Sequence, residues 1–387
     1  MSRRTILKGV GSGLLTVVVV GTGVVSFKAA TNNVLDFSGG HAYDPWRDWQ
    51  HQLGALGLVS AAILSANPHN IQPWIFRVSD HQIDLYADPV RNSGALDALE
   101  REKMVGLGCA LENMTIAAGP RGYDAVVSVL PDSNPAHIAT VTLTKPASHS
   151  DTALYPAIGN RRSNRGPYST DPVTTQELGY LTSQLAGQSG LELSWFTSTS
   201  QRAALGALMI DAAAAIVGDK QQSIDGFQWF RSTEAEIESH RDGLTDWGQD
   251  LSDPISSAAV ILPPESRTAG DQFWLTQTKT VHTKTAAAYG VITVAEPNDP
   301  RIRIHGGRLL QRLHLSATGH GLAFQHMNQI TERIDRQASQ GTAPTFARRY
   351  DALLGTPGRS PLVSFRIGHP VRPGRLSPRR PVSWVTQ

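Results

Sequence analysis

Two distant stretches of this chain carry one pattern. GLGCALENMTIAAGPRGYDAVV, from Gly106, lies over HGGRLLQRLHLSATGHGLAFQH, from His305. Gly108 then matches Gly307, Leu111 matches Leu310, Glu112 matches Gln311 and Gly122 matches Gly321. Any two amphipathic helices share apolar spacing, but a shared terminal glycine and a shared polar middle point to an internal duplication. The chain is therefore read as two related halves of unequal length.

The elements around each copy support that reading. In the first half, Trp49 to Ser65 has Leu53, Leu56, Val59 and Ile63 at helical spacing, and Pro68 stops it. Ile75–Val78 and Gln82–Tyr86 alternate like paired strands across a Ser-Asp-His turn. Asp97–Ala118 is helical again, and Ala125–Leu130 and His137–Leu143 are β-rich. The class is α+β, with helices around antiparallel-rich mixed sheets. The second half offers a helix over Thr174–Ala186 and a strand over Leu191–Phe196. The halves are expected at residues 42–150 and 151–387. Residues 220–279, polar with Trp and Pro, have no counterpart in the first half and read as a lid or binding loop. With 387 residues and 40% hydrophobic content, the chain can bury two such cores.

The N-terminus is set apart. Arg3, Arg4 and Lys8 precede an uncharged run from Gly9 to Phe27, and the start resembles a twin-arginine export signal. The run is also near the ~20 residues that span a bilayer, so an uncleaved anchor is the alternative. Export or membrane association is the expected location, and a cytoplasmic one if the signal does not work.

Cys109 is the single cysteine, which leaves no internal disulfide and no cysteine-based metal cluster. It reads as core. His314, His320 and His326 are six apart, which spreads them around a helix as packing or surface residues, with no metal expected. No phosphate-binding Walker loop, dinucleotide glycine motif or Gly-x-Ser-x-Gly elbow is present. Beyond Pro300 the cations are all Arg, a pattern that also suits nucleic acid, although a solvated surface explains most of them.

Two short stretches remain. Arg161, Ser163 and Arg165 stand at alternate positions in GNRRSNRGPY, and two guanidiniums with a hydroxyl on one side suit a phosphate. In SANPHNIQPW, Asn70 and Gln72 offer donors and acceptors to the edge of a heterocycle, held between Pro68 and Pro73.

Together with Ser377-Pro-Arg-Arg-Pro-Val382, these motifs resemble the nitroreductase family, and more narrowly its Acg-like branch, in which two nitroreductase-like halves sit in one chain. The resemblance implies a pseudo-dimer, active as a monomer, with one FMN site built from both halves. Arg161 and Ser163, with Arg379 or Arg380, would hold the phosphate, and Arg165 would approach the pyrimidine end of the flavin. Asn67, Pro68, His69, Asn70 and Gln72 would supply the other side. NAD(P)H would be the transient reductant of a ping-pong cycle. A nitroaromatic, a quinone or an unidentified small molecule would be the acceptor. The flavin carries the chemistry, so no catalytic side chain is expected. The same branch implies that a lid can cover the flavin, which leaves an FMN-sequestering protein as the alternative. A degenerate scaffold or an arginine-mediated nucleic-acid binder is a third reading, while the family resemblance implies no nucleic-acid partner.

Overall fold

The structure is a computed structural model that describes residues 40–146, 153–250 and 266–387. The expected signal or anchor over residues 1–30 lies outside them. Helices α1 (Asp44–Asp48) and α2 (Leu56–Ala62) open the first half. The single helix expected from Trp49 does not form, because Gly54 takes a left-handed conformation with φ of 63° and interrupts it. Four strands follow around a central helix: β1 (Trp74–Val78), β2 (Gln82–Ala87), α3 (Arg101–Ala118), β3 (Asp124–Val129) and β4 (His137–Thr144). Leu107, Leu111 and Met114 of α3 pack in one core with Phe76, Leu85 and Val141 from the sheet. The helix starts later than the apolar pattern suggests. Asp97 closes a 3-10 turn, and its carboxylate caps α3 by accepting from the backbone N–H groups of Glu102 (3.0 Å) and Lys103 (2.8 Å).

The second half begins with α4 (Thr175–Thr182), which continues into a 3-10 turn, and β5 (Leu191–Phe196). A long excursion then carries α5 (Thr199–Gly218), α6 (Lys220–Phe227), β6 (Phe230–Arg231), α7 (Glu234–His240), β7 (Leu244–Thr245) and α8 (Arg267–Gln277). The chain returns through β8 (Ala288–Val294), α9 (Pro300–Gly319), β9 (Ala323–His326), α10 (Gln329–Ser339), α11 (Thr345–Leu354) and β10 (Ser360–Gly368). The tail ends in α12 (Val382–Val385).

The two sheets have the same topology. Their orders are β1-β2-β4-β3 and β5-β8-β10-β9, and every neighbouring pair is antiparallel. Parallel pairing enters through the short β6–β7 ladder and through bridges at the sheet edges: Thr386 beside Phe76, and Ser163 beside Phe324. The halves differ in the first connection, a tight turn between β1 and β2 but the α5–α8 excursion between β5 and β8.

Helices α3 and α9 cross where Gly108 meets Gly307. A Cβ on Gly108 would stand 3.0 Å from Gly307 Cα and would run into the carbonyl of Ile304. One on Gly307 would run into the carbonyl of Val105. Both helices also end alike. Gly122 and Gly321 take φ of 83° and 73°. The next residues, Tyr123 and Leu322, donate back to Ala118 O and Ala317 O at 3.0 and 2.9 Å.

Replacing Gly108 or Gly307 with Ala is expected to destabilise the protein by about 1–3 kcal/mol or more, since the obstacle is backbone rather than a movable side chain. Gly179, on α4, has nothing near its missing Cβ. Gly179→Ala is expected to stabilise by up to about 1 kcal/mol. Urea midpoints of the three variants check both signs.

Candidate functional site

The turn from Asn67 to Gln72 is held in a costly shape. His69, Asn70 and Gln72 have φ of 44°, 54° and 52°, a region that non-glycine residues rarely adopt. Asn67 staples the turn by accepting from Gln72 N–H at 2.8 Å. Asn70 Nδ2 donates to Pro378 O (2.8 Å) and Gly243 O (3.2 Å). Gln72 Nε2 donates to Arg241 O (2.8 Å), and its Oε1 accepts from Arg380 N–H (2.8 Å). These amides fasten the turn to the C-terminal tail and to the excursion. Both side chains are buried in contacts of the chain with itself. Asn67, Pro68 and His69 line a cavity of about 260 Å³, and Asn70 and Gln72, expected at a heterocycle edge, are not among its lining residues.

The 161–165 strip runs along the edge of the second sheet, where Asn164 N–H donates to Phe324 O at 3.0 Å. It is fixed from behind by Arg366 on β10. That wholly buried guanidinium donates to Gly166 O (2.7 Å), Gln325 Oε1 (2.6 Å) and Thr285 Oγ1 (3.1 Å), and lies 3.9 Å from the Tyr168 ring centroid. Asp250, from the middle of the excursion, accepts from the N–H groups of Arg165 and Arg375, each at 2.6 Å. Ser163 and Arg165 reach the cavity wall, where the Arg165 guanidinium donates to Gly248 O at 2.9 Å. Arg161 does not share that wall, because its N–H bonds back to Ala157 O in the turn that follows the 3-10 helix and its side chain turns inward. There its guanidinium donates to Leu64 O at 3.1 and 3.2 Å.

Arg161 has company in the interior. Its guanidinium carbon and those of Arg162 and Arg379 lie 5.7, 4.3 and 4.9 Å from the ring of Trp46. Arg379 is engaged by Asn70 Oδ1, Ser377 Oγ (2.7 Å) and Ser65 O (3.2 Å). Among the described residues no carboxylate pairs with any of the three. Arg161 Nη1, Arg379 Nε and the hydroxyl of Ser65 are buried without a hydrogen-bond partner. Burial, with the neighbouring cations behind it, pushes Arg161 down to about 9 and Arg379 well below the usual arginine range. Burial alone brings Arg162 to about 10. Arg380 stands apart, half-buried, with its guanidinium on Trp384 O at 3.1 Å.

The other cavity walls come from elements that sequence reasoning left unassigned. Val105, Gly106 and Cys109 of α3 form one side. The Cys109 thiol donates to Gly307 O at 3.2 Å and is pushed up to about 12 by burial, which keeps it protonated as expected for a core residue. Among the aromatic residues of the excursion, Phe227 and Phe230 face the cavity, with ring planes 2° apart and centroids 6.3 Å apart. Trp229 and Trp247 face arginines instead: Arg91 and Arg231 for the first, Arg375 for the second. Trp274 of α8 adds another ring.

The histidines also depart from expectation. His314 is wholly buried on α9 and stacks on Phe324, and His320 lies at the helix end. His326 is on β9, not on a helix, and lines the cavity. Burial first, then nearby arginines, pulls His69 down to about 4 and His326 to about 3, so both are neutral near pH 7. No group of residues able to hold a metal ion occurs among the described residues.

Two glutamates complete the lining. Glu102 of α3 and Glu332 of α10 are both buried, with their carboxyl groups near each other. Burial pushes Glu332 up to about 8 and Glu102 well above the carboxylate range, and the nearby Asp97 and Asp335 act in the same direction. No periodicity in the sequence singles this pair out, because its two members meet only through the packing of α3 and α10.

Similarity to known proteins is partial. No family model matches the chain. Among curated proteins, "Putative NAD(P)H nitroreductase Rv3131" of Mycobacterium tuberculosis is 29% identical over 131 residues, which is 33% of this chain and 38% of the relative. "Putative NAD(P)H nitroreductase acg" of the same organism is 31% identical over 118 residues, 30% of this chain and 35% of the relative. These matches support a nitroreductase family assignment, although the chain spans little more than a third of each relative's length. Among solved structures, the FMN-dependent nitroreductase NfnB of Mycobacterium smegmatis in complex with NADPH aligns at 16% identity and a TM-score of 0.38, over 61% of this chain and 97% of its own. That likeness is too slight to argue from.

The glutamate pair sets a pH dependence. Between the ordinary value of 4.5 and about 8, the folded chain keeps a proton on Glu332 that the unfolded chain releases. Stability is then fully present below that window and falls as pH rises through it. Below about pH 6.5 the buried neutral histidines act in the opposite direction, so urea midpoints are expected to decline between about pH 7 and pH 8 in the wild type and less steeply in Glu332→Gln.

Proposed function

We propose that this chain is an FMN-dependent NAD(P)H oxidoreductase of nitroreductase type. The observation that carries the reading is the buried guanidinium cluster of Arg161, Arg162 and Arg379. Burying a charge without a counter-ion costs on the order of several kcal/mol. Idle N–H groups on two of these arginines, beside the free hydroxyl of Ser65, are the donor set that a phosphate accepts from. The residues present therefore fit the phosphate of FMN. Arg161 and Arg379 would bind it, with Arg162 and Ser65 beside them. FMN, when bound, supplies the two-electron chemistry between a nicotinamide and an acceptor. Arg165 and Ser163 on the cavity wall would face the flavin, and the cation would favour negative charge there. Asn67, Pro68 and His69 would bound it from the first half, while Asn70 and Gln72 hold the tail that delivers Arg379. Arg380 N–H, on Gln72, is part of that clasp.

The matching sheet topologies and the glycine crossing support the reading of a fused pseudo-dimer, acting as a monomer with one site drawn from both halves. The α5–α8 excursion supplies Phe227, Phe230 and Trp274 to the cavity, which supports its role as a lid over residues 220–279. That cover also favours a second reading, an FMN-sequestering protein that admits no acceptor. The Arg3-Arg4 start supports export through the twin-arginine route, or anchoring by the uncharged run that follows.

The purified chain is expected to be yellow, and to bleach when NADPH is added without oxygen. A yellow protein that resists bleaching moves the sequestering reading ahead, and a chain that cannot be loaded with FMN overturns both. Arg161→Met and Arg379→Met are each expected to weaken FMN binding about 10- to 100-fold, as the loss of a charge-assisted hydrogen bond implies. Quenching of flavin fluorescence on titration measures it.

A further inference from the structure

We propose that Glu102 and Glu332 form a hydrogen-bonding end of the cavity that recognises an acceptor oxygen on a planar aromatic ligand. Only the word acceptor rests on the oxidoreductase reading; the recognition itself needs no flavin. Along α3 the cavity wall runs from Glu102 past Gly106 to Cys109. Seven residues at 1.5 Å each place the acid pair about 10 Å from the helix position that neighbours Arg161. The carboxyl end of the cavity thus lies roughly the length of two or three fused rings from Cys109, and Arg165 is the arginine that lines the same cavity. The stacked Phe227 and Phe230 and the indole of Trp274 give the middle flat apolar surfaces suited to such a body.

Two features point to a ligand at the carboxyl end. Glu102 Oε1 is buried without a partner. Independently, Gln222 of α6 is wholly buried and lines the same cavity. Arg333 engages its Oε1, so its Nε2 is left as a donor with nothing to donate to. A protonated carboxyl and an amide N–H are both donors, and together they select a ligand oxygen that accepts, such as a carbonyl or nitro oxygen.

The surroundings keep the pair protonated. Asp97, at the foot of α3, and Asp335, on α10, both disfavour ionisation. The nearest cations are committed elsewhere: Arg101 to Asp335 at 2.5 and 2.8 Å, and Arg303 to Leu99 O at 2.6 Å. Lys103 pairs with Glu100 at 2.9 Å. On the α6 side, Asp219 is held by Arg333 and Arg336. From α5, Asp211 pairs with Arg349 of α11 at the surface. From α11, Tyr350 has its hydroxyl pushed up by burial. On β10, Arg366 is occupied at the 161–166 strip.

The test compares 9-fluorenone with fluorene, which has the same rings and no carbonyl, by quenching of tryptophan fluorescence in the full chain with and without added FMN. Wild type is expected to bind fluorenone about tenfold tighter than fluorene at about pH 6. That preference is expected to shrink by about pH 9, as ionisation of Glu332 removes one donor and sets charge against the carbonyl. Glu332→Gln keeps a neutral donor of the same shape, so it is expected to retain the preference and lose its pH dependence. Glu332→Leu is expected to show a smaller preference for fluorenone that no longer changes between about pH 6 and pH 9. Equal binding by wild type, or a preference unchanged from pH 6 to pH 9, overturns the proposal. The flavin reading is scored separately by absorbance: a colourless chain that still prefers fluorenone sinks that reading and leaves this one standing.

Discussion

The approach of α3 to α9 is the contact on which the rest depends. Two glycines let the backbones touch, and polar groups lock the pair on either side. Glu112 takes Arg308 at 2.6 Å and Arg312 at 2.8 Å. Gln311 donates to Asn113 at 2.7 Å and accepts from the N–H of Ala66 at 3.2 Å. The last of these bonds reaches the start of the 67–72 turn. Gly106 meets the other face of that turn, where a Cβ would stand 2.9 Å from Pro68. The crossing thus fixes where a segment of the first half lies against a segment of the second.

The arginines show how one residue type serves two ends. Arg366 is as buried as Arg379, yet Arg366 meets carbonyls, an amide oxygen, a hydroxyl and an aromatic face, and none of its nitrogens is left idle. It is a fastening inside the second sheet. Arg161 and Arg379 are also partly engaged, but each keeps one nitrogen without a partner. Arg333 and Arg359 also keep an idle Nε but are paired with carboxylates. It is the idle nitrogen together with deep burial and, among the described residues, no carboxylate that marks Arg161 and Arg379. That difference separates the structural arginine from the candidates for an anion, and sequence cannot draw it.

The excursion is joined to the site through its middle. Arg241 O and Gly243 O accept from the 67–72 turn, and Asp250 accepts from the 161–165 strip and from the tail. Burial pushes Asp250 up to about 6, against the pull of those N–H donors and of Arg165 and Arg375. The segment that covers the cavity is therefore part of the scaffold that shapes it, which is why site and cover form one packed unit.

The amino-acid sequence by itself determined the class of fold, the doubled helix and the two stretches that meet at the site. Those features are local: apolar spacing, glycine at a helix end, and proline beside a polar turn each act within a few residues. The sequence could not show that the amides of Asn70 and Gln72 bond to a tail some three hundred residues away (Pro378 and Arg380), because that partnership is non-local. Arg161, Ser163 and Arg165 read as one face of an extended strip, but the Arg161 N–H still bonds back to Ala157 O and its side chain turns inward to Leu64 O. The glutamate pair, the idle amide of Gln222 and the cavity position of His326 had no local signal at all. Tertiary structure decided them, because burial and the company of distant residues, rather than spacing along the chain, set both their charge and their exposure to the cavity.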